Sequence, residues 1–292
     1  MTNKKNILVT GANGQLGNEL RALSASYPAY HFLFVTKEEL PVTEADEVRK
    51  YFKRHTVHVC INCAAYTAVD KAETEKEKAF LVNATAAGNL ASTCAQFNTQ
   101  LIHISTDYVF DGTLQQPYQE SDPTCPINTY GASKLKGEEL ALQNDPTVII
   151  IRTSWVYSSF GNNFVKTMLR LMKEKDRIDV VNDQWGCPTY AADLAEAIMV
   201  IVEKWTMGNG QWANNIFNYT NRGIITWYEF AFAIKELTGS NCFISPIPTS
   251  QYPTAAKRPP YSVLDISKIQ QQFNINIPDW KERLQKCLLL LS

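Results

Sequence analysis

The stretch Asn6-Ile-Leu-Val-Thr-Gly-Ala-Asn-Gly-Gln-Leu-Gly17 decides how this chain folds. An apolar run ends in Thr10, Gly11, Gly14 and Gly17 follow, and Leu16, Leu20 and Leu23 then recur at helical spacing. A strand that turns through glycines into a helix opens a βαβ unit. Such glycines let the backbone approach a pyrophosphate, and the helix N-terminus offers it free N–H groups and partial positive charge. Gly11, Gly14 and Gly17 are therefore candidate cofactor-binding residues.

The same alternation continues outward from that stretch. Apolar runs at 6–10, 31–36, 57–64, 100–105 and 147–152 alternate with amphipathic segments, the rhythm of a parallel sheet covered on both faces. The clearest helix spans 75–97, with Phe80, Ala84, Ala87, Ala91 and Cys94 on one face. Beyond Arg152 the pattern predicts helices over 164–174 and 192–203 and strands over 178–181 and 216–219. A further helix is opened by the capping box Thr226/Glu229 and closed by Gly239. The expected fold is α/β, a Rossmann-type doubly wound parallel sheet with a smaller mixed C-terminal substrate lobe. Residues 1–154 and about 178–205 are expected to form the dinucleotide-binding part, and about 155–177 and 206–292 the lobe.

With 28 basic and 29 acidic residues, the net charge of −1 gives no footprint for nucleic acid or an anionic membrane. The longest apolar runs, 197–202 and 287–291, fall far short of the ~20 residues of a membrane helix. The N-terminus passes from MTNKKN directly into ILVTG without a secretory pattern, so a cytoplasmic location is expected. Seven cysteines show no framework spacing, and Cys60 and Cys63, three apart on a strand, point to opposite faces. No metal site is predicted.

The chemistry concentrates in two places. Tyr130 and Lys134 lie four apart at the start of a helical stretch and so share a face. An ammonium beside a phenol is expected to lower its pKa from ~10 and let it serve as an acid–base group. Upstream, Ser105-Thr106-Asp107-Tyr108 ends a predicted strand, where ligands collect in doubly wound sheets, and Thr106 is the natural donor to a carbonyl. Together with the glycine loop, these residues predict carbonyl/alcohol redox with a nicotinamide cofactor. The end of the second strand reads Thr36-Lys37-Glu38-Glu39. Lys37 suits a 2′-phosphate and the carboxylates a ribose hydroxyl, leaving NADPH and NADH both open.

The G-x-x-G-x-x-G spacing points to the short-chain dehydrogenase/reductase superfamily. TGANGQLG (10–17), NCAAYTAVDKAE (62–73), STDYVFDG (105–112), YGASKLKGE (130–138), RTSWVY (152–157), GNNFVKTML (161–169), NDQWGCPT (182–189) and RPPYSVLD (258–265), taken in order, resemble the dTDP-4-dehydrorhamnose reductases. The resemblance covers essentially the whole chain. It implies NAD(P)H-dependent reduction of the C4 ketone of a nucleotide-linked 4-keto-6-deoxy-L-hexose. Tyr130 would be the proton donor, Lys134 the ribose and tyrosine partner, and Thr106 the carbonyl ligand. By the same resemblance Gly14, Gln15, Leu16, Ala65 and Thr67 would meet the cofactor. Val69, Asp107, Tyr108, Trp155, Asn163 and Arg258 would meet the substrate, although Val69 and Trp155 also suit interior packing and Asn163 also suits a helix cap. Some members form magnesium-linked homodimers through surface carboxylates. Glu19 matches one such position and no partner carboxylate is found. An epimerase or dehydratase of the superfamily, or a non-catalytic regulatory subunit, are the alternatives.

Overall fold

A computed structural model describes residues 4–208 and 215–291. The first three residues of the predicted leaderless start, 209–214 of the predicted lobe, and 292 lie outside the described residues. β1 (Lys5–Thr10), α1 (Gln15–Leu23), β2 (Tyr30–Val35), α2 (Ala45–Arg54) and β3 (Val59–Asn62) come first. Two short helices, α3 (Val69–Ala72) and α4 (Lys76–Phe80), lead through a π-helical turn into α5 (Ala86–Gln96) and β4 (Gln100–Thr106). α6 (Thr129–Asn144), β5 (Ile149–Thr153), β6 (Val156–Tyr157), α7 (Phe164–Glu174) and β7 (Arg177–Val181) follow. Then come β8 (Trp185–Gly186), β9 (Thr189–Tyr190), α8 (Ala191–Thr206), β10 (Ile216–Asn218) and β11 (Ile225–Thr226). α9 (Trp227–Thr238), β12 (Phe243–Ile247), α10 (Ser267–Phe273) and α11 (Trp280–Leu289) complete the order.

Six parallel strands form the central sheet in the order β10-β5-β4-β3-β1-β2. The chain winds away in both directions from β1 and β3, so a crevice opens at their carboxyl ends, the usual ligand site of such sheets. Ile7, Leu8 and Val9 are all fully buried, as a strand covered on both faces requires. Ile7 and Val9 pack into one layer with Leu16 and Leu20 of α1 and Ile198 of α8. Leu8 packs into the other with Phe52 of α2, Leu90 of α5 and Ala141 of α6. This is the predicted doubly wound α/β sheet.

A separate core joins Met168 of α7, Phe230 and Ile234 of α9 and Leu284 of α11. It includes Ile178 and Val180 of β7, which pairs with β12. Residues 178–181, assigned by the sequence to the dinucleotide part, thus pack in this second core. Conversely β10, expected in the lobe, closes the edge of the main sheet against β5, and Ile269 and Phe273 of α10 pack onto that sheet's core. The three residues of β10, two of them buried, are too short a run to reveal which sheet they complete. The helix predicted over 75–97 is interrupted at Leu81–Thr85, where the π-helical turn directs Asn83 inward.

Candidate functional site

Gly11 begins the glycine loop at φ +64, and a Cβ there would stand 2.6 Å from the Ala64 backbone nitrogen. Gly17 is equally confined, because a Cβ would meet the Gly11 carbonyl oxygen at 2.7 Å. The two glycines press β1, α1 and the segment after β3 together. Gly14 caps α1 with extended backbone, no side chain closes the cap, and the first turn holds no acidic residue. Its N–H groups are left to an anion. Leu16 turns its side chain into the core, so only its backbone faces the loop.

Around this loop the predicted residues differ in setting. Ala65 is half-buried and Thr67 exposed on the segment after β3. The Lys37 side chain is 88% exposed, with Nζ 3.6 Å from the Glu38 carboxylate. Leu40 and Val42, beyond β2, are buried in the sheet core. Gln15 accepts a hydrogen bond from Asn163 Nδ2 at 2.9 Å and donates to the Val156 carbonyl at 3.3 Å. Asn163 also accepts from the Lys166 N–H, so it is the N-cap of α7 and a bridge to α1. Glu19 is 7% exposed and accepts from Ser158 Oγ at 2.5 Å, while burial raises its pKa. It is a buried carboxylate, not a surface one. No cluster of three metal-ligating side chains occurs among the described residues.

The second half of the site rides on α6. Asn128 caps it by accepting from the Gly131 N–H at 2.8 Å, and its amide donates to the Lys257 carbonyl. The Glu73 carboxylate accepts from both the N–H and the hydroxyl of Thr129. A Cβ on Gly131 would stand 2.1 Å from the Tyr108 carbonyl oxygen, which shows how closely the helix meets the end of β4. Tyr130 and Tyr108 consequently meet edge to face at 5.9 Å. Thr106, 4% exposed, donates to Asp107 Oδ1 at 2.9 Å and accepts from the Tyr108 N–H at 3.2 Å.

Lys134 is 2% exposed and donates to the Ile104 carbonyl at 2.6 Å. Burial pushes its pKa down to about 8, against the pull of Glu138. Tyr130 reverses the sequence expectation: burial pushes its phenol up to about 12, opposed by the Thr106 hydroxyl. Desolvation of the phenolate outweighs any help from Lys134, whose ammonium is turned to a carbonyl. Asp107 is pushed up to about 7 by burial, with the Ser262 and Thr106 hydroxyls opposing.

Sequence reasoning missed the frame that holds these groups. Glu138, one turn beyond Lys134, takes a forked ion pair from Arg152 with contacts of 2.7–3.2 Å and accepts from Ser105 Oγ. The pair joins α6 to β4 and β5, and both side chains are 3% exposed. Asn83 brackets Tyr66 through the backbone N–H and carbonyl and donates to Ser133 of α6. Glu138 lay inside the quoted motif, but its spacing alone resembles an ordinary solvated helix charge.

The substrate-side residues divide. Val69 starts α3 beside Asp70, whose carboxylate takes a forked pair from Arg258 at 2.6 and 2.7 Å. Arg258, expected to meet the substrate, here gives its guanidinium fork to fork to Asp70. Trp155 adopts φ +47, a left-handed conformation that a bulky residue rarely takes. It stacks on Trp227 at 3.5 Å and packs against Gly186, where a Cβ would meet the indole at 2.6 Å.

The sequence model of the family described as RmlD substrate binding domain matches residues 5–292. A dTDP-4-dehydrorhamnose reductase of Aggregatibacter actinomycetemcomitans is 42% identical over 285 residues, 96% of this chain and 97% of its own. The chain belongs to the dTDP-4-dehydrorhamnose reductase family. A solved member of that family from Clostridium acetobutylicum superposes with a TM-score of 0.92 at 38% identity, covering 98% of this chain and 99% of its own. The family member from Bacillus anthracis, solved in complex with NADP, gives 0.91 at 36% identity with coverage of 98% and 99%.

Proposed function

We propose that this chain reduces the C4 ketone of dTDP-4-dehydro-L-rhamnose to dTDP-L-rhamnose with NAD(P)H, as its relatives' names and the NADP-bound neighbour support. The observation that carries the reading is the convergence of Thr106, Tyr130 and Lys134 where β4 and α6 meet, on the sheet whose β1 carries the glycine loop.

The loop fits a dinucleotide: the α1 cap at Gly14 has no side-chain hydrogen bond, a Cβ on Gly14 would already crowd the Gly11 carbonyl oxygen at 3.2 Å, and Gly11 and Gly17 exclude a side chain altogether. Gly11, Gly14, Gln15, Leu16 and Gly17 would hold the pyrophosphate, Ala65 and Thr67 the part nearer the ring, and Lys37 a 2′-phosphate. When bound, the nicotinamide supplies hydride to C4. Tyr130 donates its phenolic proton to the carbonyl oxygen. A value near 12 keeps that proton in place at neutral pH, the form a reductase needs at the outset. Thr106 donates to the same oxygen, and Lys134 holds ribose hydroxyls and supports the phenolate as it forms.

Asp107, Tyr108, Val69 and the Trp155–Trp227 stack line the sugar side in this reading, with Asn163 bridging the two halves through Gln15. Arg258 reaches the diphosphate only by sharing or leaving Asp70. The main sheet carries the dinucleotide, and the core of α7, α9 and α11 carries the nucleotide sugar. A cytoplasmic location and a homodimer belong to the same proposal, the first supported by a sugar-nucleotide reduction that draws on NAD(P)H. Among the described residues no helix is long and apolar enough to cross a membrane. The test is loss of NADPH or NADH absorbance with and without the keto sugar, together with Tyr130→Phe. Consumption only with sugar and its loss in the variant, at nearly unchanged cofactor affinity, are expected. Undiminished turnover in Tyr130→Phe removes Tyr130 from the mechanism.

A further inference from the structure

Thr106 has one hydroxyl proton and more than one claimant for it. It donates to Asp107 Oδ1 at 2.9 Å, its oxygen accepts from the Tyr108 N–H, and its hydroxyl works against the burial that raises the Tyr130 phenol. Asp107 is 2% exposed and, among the described residues, has no cation paired with it. Arg258 is held by Asp70, and Lys134 by the Ile104 carbonyl. The groups facing Asp107 are Tyr130 from α6, Ser262 from the segment after Arg258, Cys187 after β8, and its own neighbour Tyr108.

An ionised carboxylate only accepts hydrogen bonds, whereas a protonated one also donates. With Asp107 charged, the Thr106 proton is committed to it and cannot reach a ketone. With Asp107 neutral, the carboxyl O–H can donate to Thr106 Oγ1, and the threonine proton turns outward.

We propose that Asp107 is a positioning residue that sets the direction of the Thr106 hydroxyl, so that Thr106 donates to the substrate ketone only while the Asp107 carboxyl is neutral. Asp107 itself makes and breaks no bond to substrate: hydride reaches C4 from the cofactor, the proton reaches oxygen from Tyr130, and the carboxyl returns unchanged. Burial holds its titration at about 7, so the switch works within the ordinary pH range.

The inference rests on the roles of Thr106 and Tyr130 given above, and the experiment separates the two. The ratio of kcat for Asp107→Asn over wild type is measured from pH 6 to pH 8. An amide can donate to Thr106 at every pH, so the ratio is expected to rise about tenfold, because only about a tenth of a carboxyl with pKa near 7 is neutral at pH 8. The KM ratio stays flat. In the wild-type protein without cofactor, the infrared carbonyl stretch of a protonated carboxyl should fade as pH rises through about 7, and that change should be missing in Asp107→Asn. A flat kcat ratio, or no titrating carboxyl band in the wild type, overturns the proposal. If Asp107→Asn fails to fold, Thr106→Val takes its place: its residual turnover should lose the limb near pH 7, and a retained limb overturns the proposal. If Tyr130→Phe and Lys134→Met keep full turnover, the catalytic reading itself falls. If they are inactive while the ratio is flat, only the switch does.

Discussion

Replacing Lys134 with methionine is expected to abolish turnover and yet stabilise the fold at pH 7. The side chain is 2% exposed, and burial moves its pKa from 10.5 to about 8. That drop of ~2.5 units, at about 1.4 kcal/mol per unit, amounts to about 3.5 kcal/mol. The sign follows from linkage: the folded chain binds this proton more weakly than the unfolded one. The destabilisation is therefore fully present below pH 8 and fades as pH rises from about 8 to 10.5. Methionine has similar volume and removes the charge, but it also removes the 2.6 Å bond to the Ile104 carbonyl, worth about 1.5 kcal/mol for a charged donor. The net gain should be about 1–2 kcal/mol at pH 7 and should shrink to nothing near pH 10. Urea midpoints of both proteins at the two pH values, at unchanged slope, measure it. A less stable variant at pH 7, or a gain that does not change with pH, would refute the argument that burial of an ammonium is a standing strain on this fold.

Arg152→Met should destabilise by about 3–5 kcal/mol, since it leaves the Glu138 carboxylate buried without its guanidinium; denaturant titration decides, and a loss below about 1 kcal/mol contradicts the frame described for α6. Gly137→Ala places a Cβ 2.1 Å from the Asn83 carbonyl oxygen, so α6 must lift off the π-helical turn. A loss of about 1–3 kcal/mol in thermal unfolding is expected, with a fall in kcat because Tyr130 and Lys134 move with the helix. Asp70→Asn releases Arg258, the partner that holds the Asp70 carboxyl below its ordinary pKa. KM for the nucleotide sugar should fall, by about fivefold at most because the pair is partly exposed, and the effect should vanish in high salt. An unchanged KM would show that Arg258 does not meet the diphosphate.

The first βαβ unit was legible because its signals are local: an apolar run, glycines that no side chain can replace, and leucines at helical intervals. Tyr130 and Lys134 were legible for the same reason, as two positions on one helical face. What escaped depends on distance in the chain. Glu138 meets Arg152 from the next strand, Asn83 meets Ser133 across 50 residues, and Asp70 meets Arg258 across 188. β10 shows no pattern that separates an edge strand of the main sheet from a strand of the lobe. The error on Tyr130 has another origin. Spacing placed an ammonium on the right face but could not tell that it points to the Ile104 carbonyl, or how dry the phenol's surroundings are.

The indoles of Trp155 and Trp227 lie stacked 3.5 Å apart, 11° from parallel, with Trp155 kept in a left-handed backbone. Two chromophores so placed share their excited states, and the near-ultraviolet circular dichroism of the protein should carry an exciton couplet. The amplitude of that couplet depends steeply on spacing and angle. The molecule therefore carries its own optical gauge of how the segment after β5 sits on α9, one that a stopped-flow instrument can follow without any added label.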